Sequence, residues 1–161
     1  MTTASELKKL AKETITPFLI EKGFQLVKSY AFVRERSGMF DILDFSIFNG
    51  GWNLRPIVKC WVPELDPDFE CSKFPKKLPS RISSGGYLNP FGEIAFGGGS
   101  WSIKSEEEVL RALSEIRDLL QSVALPWFDH IETKADLLDA LNPGIRAQPN
   151  FDKIKDKLLS N

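Results

Sequence analysis

Residues 26–61, LVKSYAFVRERSGMFDILDFSIFNGGWNLRPIVKCW, decide the fold. Ser37-Gly38 and Gly50-Gly51 are turn dipeptides set between β-rich runs. A two-residue turn at each pairs Phe32 with Leu43, Tyr30 with Phe45, Leu43 with Val58 and Ile47 with Leu54. Both hairpins then place Leu26, Tyr30, Phe32, Leu43, Phe45, Ile47, Leu54, Val58 and Cys60 on one face. A slip of one residue in either turn would scatter that set, so the agreement fixes the register. The opposite face is not blandly polar: it carries Phe40, Ile42, Phe48, Ile57 and Trp61 among Asp44, Ser46, Arg55 and Lys59. Something must cover it, either the C-terminal part of the chain or a partner.

Outward from this ladder, Ser5 can cap a helix with apolar positions Leu7, Leu10, Ala11, Thr14, Ile15, Phe18 and Leu19. Pro17 should kink or split it near Thr16. Gly23-Phe24 has the form of a Schellman ending. The strands are expected over 25–35, 39–48 and 53–62. Pro56 cannot donate to a ladder, which predicts an edge position or a bulge for the third strand. Periodicity then vanishes over 63–90, where Glu64, Asp66, Asp68 and Glu70 precede Lys73, Lys76, Lys77 and Arg81. A loop this long is a functional element, a covering flap or a mobile segment. One or two short strands follow over 91–103. Ser105 and Glu108 form a capping box opening the strongest helix, striped by Val109, Leu113, Ile116, Leu120 and Val123 and expected to stop before Pro126. Thr133 and Asp136 repeat the cap pattern before Leu137, Leu138 and Leu141. A last helix over 151–159 shows Phe151, Ile154 and Leu158 on one side.

With 161 residues the chain fits one domain that buries roughly 70% of its unfolded surface. A formal charge of −1 supplies no global field to attract nucleic acid or an anionic membrane. No apolar run reaches the roughly 20 residues that span a bilayer. The first residues lack the apolar centre of a secretory signal, so the expected compartment is the cytoplasm. Cys60 and Cys71 are read as reduced thiols. Two cysteines and one histidine, His130, leave too few ligands for a structural zinc site. Neither a metal nor a cofactor is expected.

Several motifs in order resemble an uncharacterised bacterial family, domain-of-unknown-function family 4304. They are Pro17-Phe18-Leu19 with Gly23-Phe24, Phe32-Val33-Arg34, Cys71 with Arg81-Ile82, Trp101-Ser102-Ile103, and Leu125-Pro126-Trp127-Phe128-Asp129. The resemblance spans the chain to about Leu141. It implies an α+β domain and brings no activity or catalytic residue with it.

The chemical candidates are weak. Gly97-Gly98-Gly99-Ser100 is followed by Glu106-Glu107-Glu108, carboxylates that satisfy the helix dipole and repel phosphate, so it reads as a strand connection. His130 beside Asp129 could be a general base, but no nucleophile motif points to it, and a loop histidine after a Pro-Trp-Phe anchor is the better reading. Asp41 opposes Arg34 as a cross-strand ion pair. Lys73, Lys76, Lys77 and Arg81 around Phe74 could touch a nucleic-acid backbone, yet the adjacent acidic run can pair with them, and nucleic acid is disfavoured. Trp127 and Phe128 read as a core plug rather than a partner anchor.

The fold expected is therefore α+β: an antiparallel sheet of four to five strands packed by an N-terminal helix and a long helix in the C-terminal half, forming one domain over 1–161 with the 145–161 tail able to dock on the sheet. The function ranked first is non-catalytic binding of another protein, toxin-neutralising immunity being one form of it. The binding face would comprise Phe40, Asp44, Phe48, Arg55, Lys59 and Trp61. The alternative is a small-molecule binder or enzyme with a pocket between the sheet and the 63–90 loop, lined by Cys71, Arg81 and Trp101 beside Asp44. No catalytic residue is assigned.

Overall fold

The hairpin register appears residue for residue in a computed structural model of the chain, which describes residues 4–28 and 30–160, with Ala4 and Ser5 as backbone only. The first helix begins at Ala4, so Ser5 stands inside it rather than at its cap. Strand β2 (Ala31–Arg36) pairs with β3 (Met39–Phe48), and β3 with β4 (Asn53–Trp61), both antiparallel. Phe32 stands opposite Leu43, Leu43 opposite Val58 and Ile47 opposite Leu54. Tyr30 joins Phe45 through the Phe45 N–H, which donates to its carbonyl at 2.9 Å. The first turn is the two-residue kind, Ser37 at φ 51° and Gly38 at φ 79°. The second opens to four residues, with Asn49, Gly50 and Gly51 all at positive φ. Its midpoint is unchanged, so the register is too.

Residues 25–35 form two antiparallel strands rather than one. Here β1 (Gln25–Lys28) folds back on β2, with Leu26 opposite Phe32 and a bulge before Lys28. Leu26 and Phe32 have the same parity, so the alternation of apolar residues runs unbroken through the reversal and hides it. Pro56 marks neither an edge nor a bulge. Because the Phe45 N–H faces β2, Phe45 and Pro56 form a non-hydrogen-bonded pair, and the missing N–H of Pro56 points away from β3. On that side β4 is flanked by two separate short strands. One is β5 (Gly86–Leu88), on Ile57 and Val58; the other is β7 (Trp101–Ser102), on Asn53 and Leu54. Pro56 falls in the gap between them. With β6 (Ile94–Ala95) paired to β5, the sheet holds seven strands.

The first face is buried by helices. Here α1 (Ala4–Thr14) and α2 (Thr16–Glu21) are divided where Pro17 required it. Phe24 N–H returns to the Leu19 carbonyl at 3.0 Å across Gly23, at φ 93°, completing the Schellman ending. Helix α3 (Glu106–Leu119) is capped by Ser105 Oγ, which accepts from the Glu108 N–H at 3.2 Å. The Glu108 carboxylate reaches one residue further back than a capping box requires, accepting from Lys104 N–H and Ser102 Oγ. Leu7, Ile15, Leu19, Leu113 and Ile116 meet Phe32, Leu43, Phe45, Leu54 and Val58 in one core. The helical path does not stop before Pro126. It widens into a π turn (Leu120–Ala124) and continues as α4 (Leu125–Asp129). The i→i+5 bonding of a π turn accommodates the proline that an α-helix interior would reject.

A second core covers one end of the other face. Ile42, Trp61 and Val33 are buried there with Leu137 and Leu138 of α5 (Lys134–Asp139), Ile145 of α6 (Pro143–Arg146), and Ile154 and Leu158 of α7 (Phe151–Leu159). Leu65 and Leu78 of the long loop complete it. Cys60, on the first face by register, packs into this second cluster. The architecture is α+β in three layers: α1 to α4, the sheet, and the C-terminal helices with the long loop.

Candidate functional site

The cover reaches only part of the second face. At the covered end Trp61 is 1% exposed, its Nε1–H donates to Asp66 at 2.7 Å, and Phe69 and Phe74 pack on its ring with centroids at 5.4 and 5.1 Å. Phe40 is half-buried against Phe74, at 4.7 Å. Lys59 is buried, and its Nζ donates to the carbonyls of Pro79, at 2.5 Å, and Arg81. Burial pulls the Lys59 ammonium below its usual range, and the Asp44 and Asp66 charges work against that shift. Trp61, Phe40 and Lys59, three of the six residues expected to receive a partner, are thus occupied by the chain's own loop. The sequence shows which residues share a face; it does not show how far along the strands a cover extends.

The other three stay at the surface. Asp44, Phe48 and Arg55 are half-buried on adjacent strands β3 and β4, with Ile57 beside them. β5 and the segment after β6 add two residues that sequence reasoning missed, Tyr87 and Phe96. Tyr87 stands opposite Ile57, and Phe96, 58% exposed, meets its ring edge-on at 6.3 Å. The Arg55 guanidinium lies 3.6 Å from the Tyr87 ring centre and 4.6 Å from that of Phe48. Its Nε is buried without a hydrogen-bond partner, and among the described residues no carboxylate pairs with it. Burial pushes the Asp44 carboxyl up, while Lys59 and then Lys28 oppose the shift. The signal for Tyr87 was present in Gly85-Gly86 before Tyr87-Leu88, a turn leading into alternation, but three residues are too few to establish a period.

The pocket residues are not brought together. Trp101 is buried in the first core with its Nε1–H on Glu115 at 2.7 Å, on the opposite side of the sheet from Arg81. Cys71 is exposed in a 3₁₀ turn (Cys71–Lys73). Arg81 is held by the Leu65 carbonyl at 2.6 Å and Asp66 at 3.2 Å. The space expected between sheet and loop is filled by Phe69, Phe74 and the Lys59 contacts. An open cleft of about 310 Å³ lies instead between the loop and the start of α7, where Asp66, Phe69, Arg81, Gln148 and Asn150 line it.

The remaining motifs have structural places. Asp41 is fully buried and receives Arg34 at 2.9 Å, as expected, and also Arg36, whose guanidinium continues to the carbonyls of Phe128 and Ile131. The glycine run joins β6 to β7; a Cβ at Gly98 would lie 2.0 Å from Asn89 Nδ2, and that amide donates to the Gly97 carbonyl. His130 is exposed with Nδ1 on the Pro126 carbonyl at 2.7 Å. Phe74 faces the core, so the Lys73, Lys76 and Lys77 cluster offers no stacking platform for bases. Among the described residues no group of His, Cys, Asp or Glu could hold a metal ion, and no helix is long and apolar enough to cross a membrane. No protein-family model, curated protein or solved structure matches the chain.

Proposed function

We propose that this is a cytoplasmic, non-catalytic domain that binds another protein on the open half of the second sheet face, around Phe48, Arg55, Tyr87 and Phe96. The observation that carries the reading is the cluster itself: aromatic rings and an arginine concentrated on a rigid sheet beside half-buried Ile57. Aromatic residues and arginine dominate the energetics of protein interfaces. Neutralisation of a toxin would be one use of such a face. A small-molecule site in the cleft near Arg81 is the weaker alternative, because Asp66 and the Leu65 carbonyl already engage that guanidinium.

The test is affinity capture from the native host with the wild-type chain and with Phe48→Asp and Tyr87→Asp, read by quantitative mass spectrometry. Both variants should stay folded by near-ultraviolet circular dichroism and lose the partner that the wild type retains. Capture of the same partner at wild-type yield by both folded variants would refute the reading.

A further inference from the structure

Resting on the protein-binding reading, we infer that the partner presents a carboxylate to Arg55: the occupant is an acidic segment, an Asp or Glu adjoining an apolar side chain. The inference starts from an imbalance. Of the arginines near or in the sheet, Arg34 and Arg36 share Asp41, and Arg81 has Asp66. Arg55 has two π surfaces and no anion. Ring contacts hold a guanidinium in place while leaving its N–H groups unsatisfied, and the natural complement of that planar fork is a carboxylate bound through two parallel hydrogen bonds.

Nearby carboxylates are engaged elsewhere. The two that the register brings toward this side, Asp44 on β3 and Glu93 in the β5–β6 connection, form no ion pair with the guanidinium, and Glu93 Oε1 lies 3.4 Å from the Asn89 amide. Lys59 and Lys28 are the charges that oppose the rise of the Asp44 carboxyl, and Arg55 has no ion pair among the described residues. Ile57, two residues along β4 and opposite Tyr87, and Phe96, edge-on to the Tyr87 ring, add apolar surface to this platform, so the carboxylate is to be delivered next to an aliphatic or aromatic side chain. A nucleic acid fits less well, because a phosphate backbone is held by several cations in a row, whereas Arg55 stands among Phe48, Ile57 and Tyr87.

Selection of a displayed random dodecapeptide library on the purified chain tests this. The selected peptides should be enriched in Asp or Glu beside an apolar residue, and their affinity should fall about tenfold or more in Arg55→Gln. Arg55→Lys should recover only part of the loss, because it restores charge without the planar fork. Peptides free of acidic residues, or equal affinity for wild type and a folded Arg55→Gln, would overturn the carboxylate inference. If Phe48→Asp still abolished binding in that case, the protein-binding reading would stand alone. If Phe48→Asp had no effect, or no peptide were selected, that reading would fall with the inference. Tighter binding of a labelled oligothymidylate than of any selected peptide, lost in Arg55→Gln, would assign the face to nucleic acid and overturn the inference as well.

Discussion

Truncation after Gly144 should expose the covered end of the second sheet face and unfold much of the chain under mild denaturant. The deletion removes Ile145, Ile154 and Leu158, which are 4%, 2% and 2% exposed, together with half-buried Phe151. A buried Leu or Ile truncated to Ala costs about 2–5 kcal/mol. Ile154 and Leu158 share neighbours, so their losses are not additive, and Ile154→Ala with Leu158→Ala should together cost about 4–8 kcal/mol. That is comparable with the whole stability of an ordinary domain, about 5–15 kcal/mol. A loss of about 3 kcal/mol already moves a urea midpoint by about 1–3 M, given a slope of about 1–3 kcal/mol/M. The assay is urea unfolding followed by tryptophan fluorescence, with ANS binding at zero denaturant to report exposed apolar surface. Ile42, Leu137 and Leu138 would lose their cover in the truncated chain, so dye emission should rise. A truncated chain with the wild-type midpoint and no dye binding would show that α7 is not the cover, and the burial argument for the second core would collapse.

Other consequences follow from single side chains. Phe45→Ala in the first core, where Phe32 meets it edge-on at 5.8 Å, should cost about 3–5 kcal/mol; an unchanged denaturant midpoint would contradict the register. In the native protein Cys71 should react rapidly with a thiol reagent while Cys60, buried and with its thiol pushed up to about 12, should react only on unfolding, so equal rates would refute its placement. Glu108 is held below the usual carboxylate range chiefly by the Lys104 N–H and then by Ser102. Its contribution is present above that range and is lost as pH falls through the depressed value, so Glu108→Gln should be less stable than wild type at neutral pH and converge with it in acid. A difference that persisted or grew in acid would contradict the assignment. Calorimetry should detect neither ATP nor inorganic phosphate at the glycine run; millimolar or tighter binding lost on mutation of Gly98 would overturn that expectation.

The ladder was legible because two independent turns and the alternation of nine residues had to agree, and a slip of one residue in either would have destroyed the agreement. The same parity concealed the β1–β2 reversal, since Leu26 and Phe32 face the same way whether the strand continues or folds back. The stripe of Phe151, Ile154 and Leu158 was equally visible, yet periodicity states only that a helix must bury a face and names no surface to receive it. The long loop was opaque for a different reason. Its order comes from contacts such as Trp61 with Phe69 and Phe74, and Lys59 with Pro79, which no local pattern encodes. The candidate site inherits both limits. Alternation put Phe40, Asp44, Phe48, Arg55, Lys59 and Trp61 on one face, but only the position of the loop and of α7 divides them into a buried group and an open one. Arg55 lies on the open side of that division, supported by Tyr87 from a strand too short to read. A guanidinium among rings and without an ion pair is a property of the assembled sheet, and it is there that the proposed partner's chemistry should be sought.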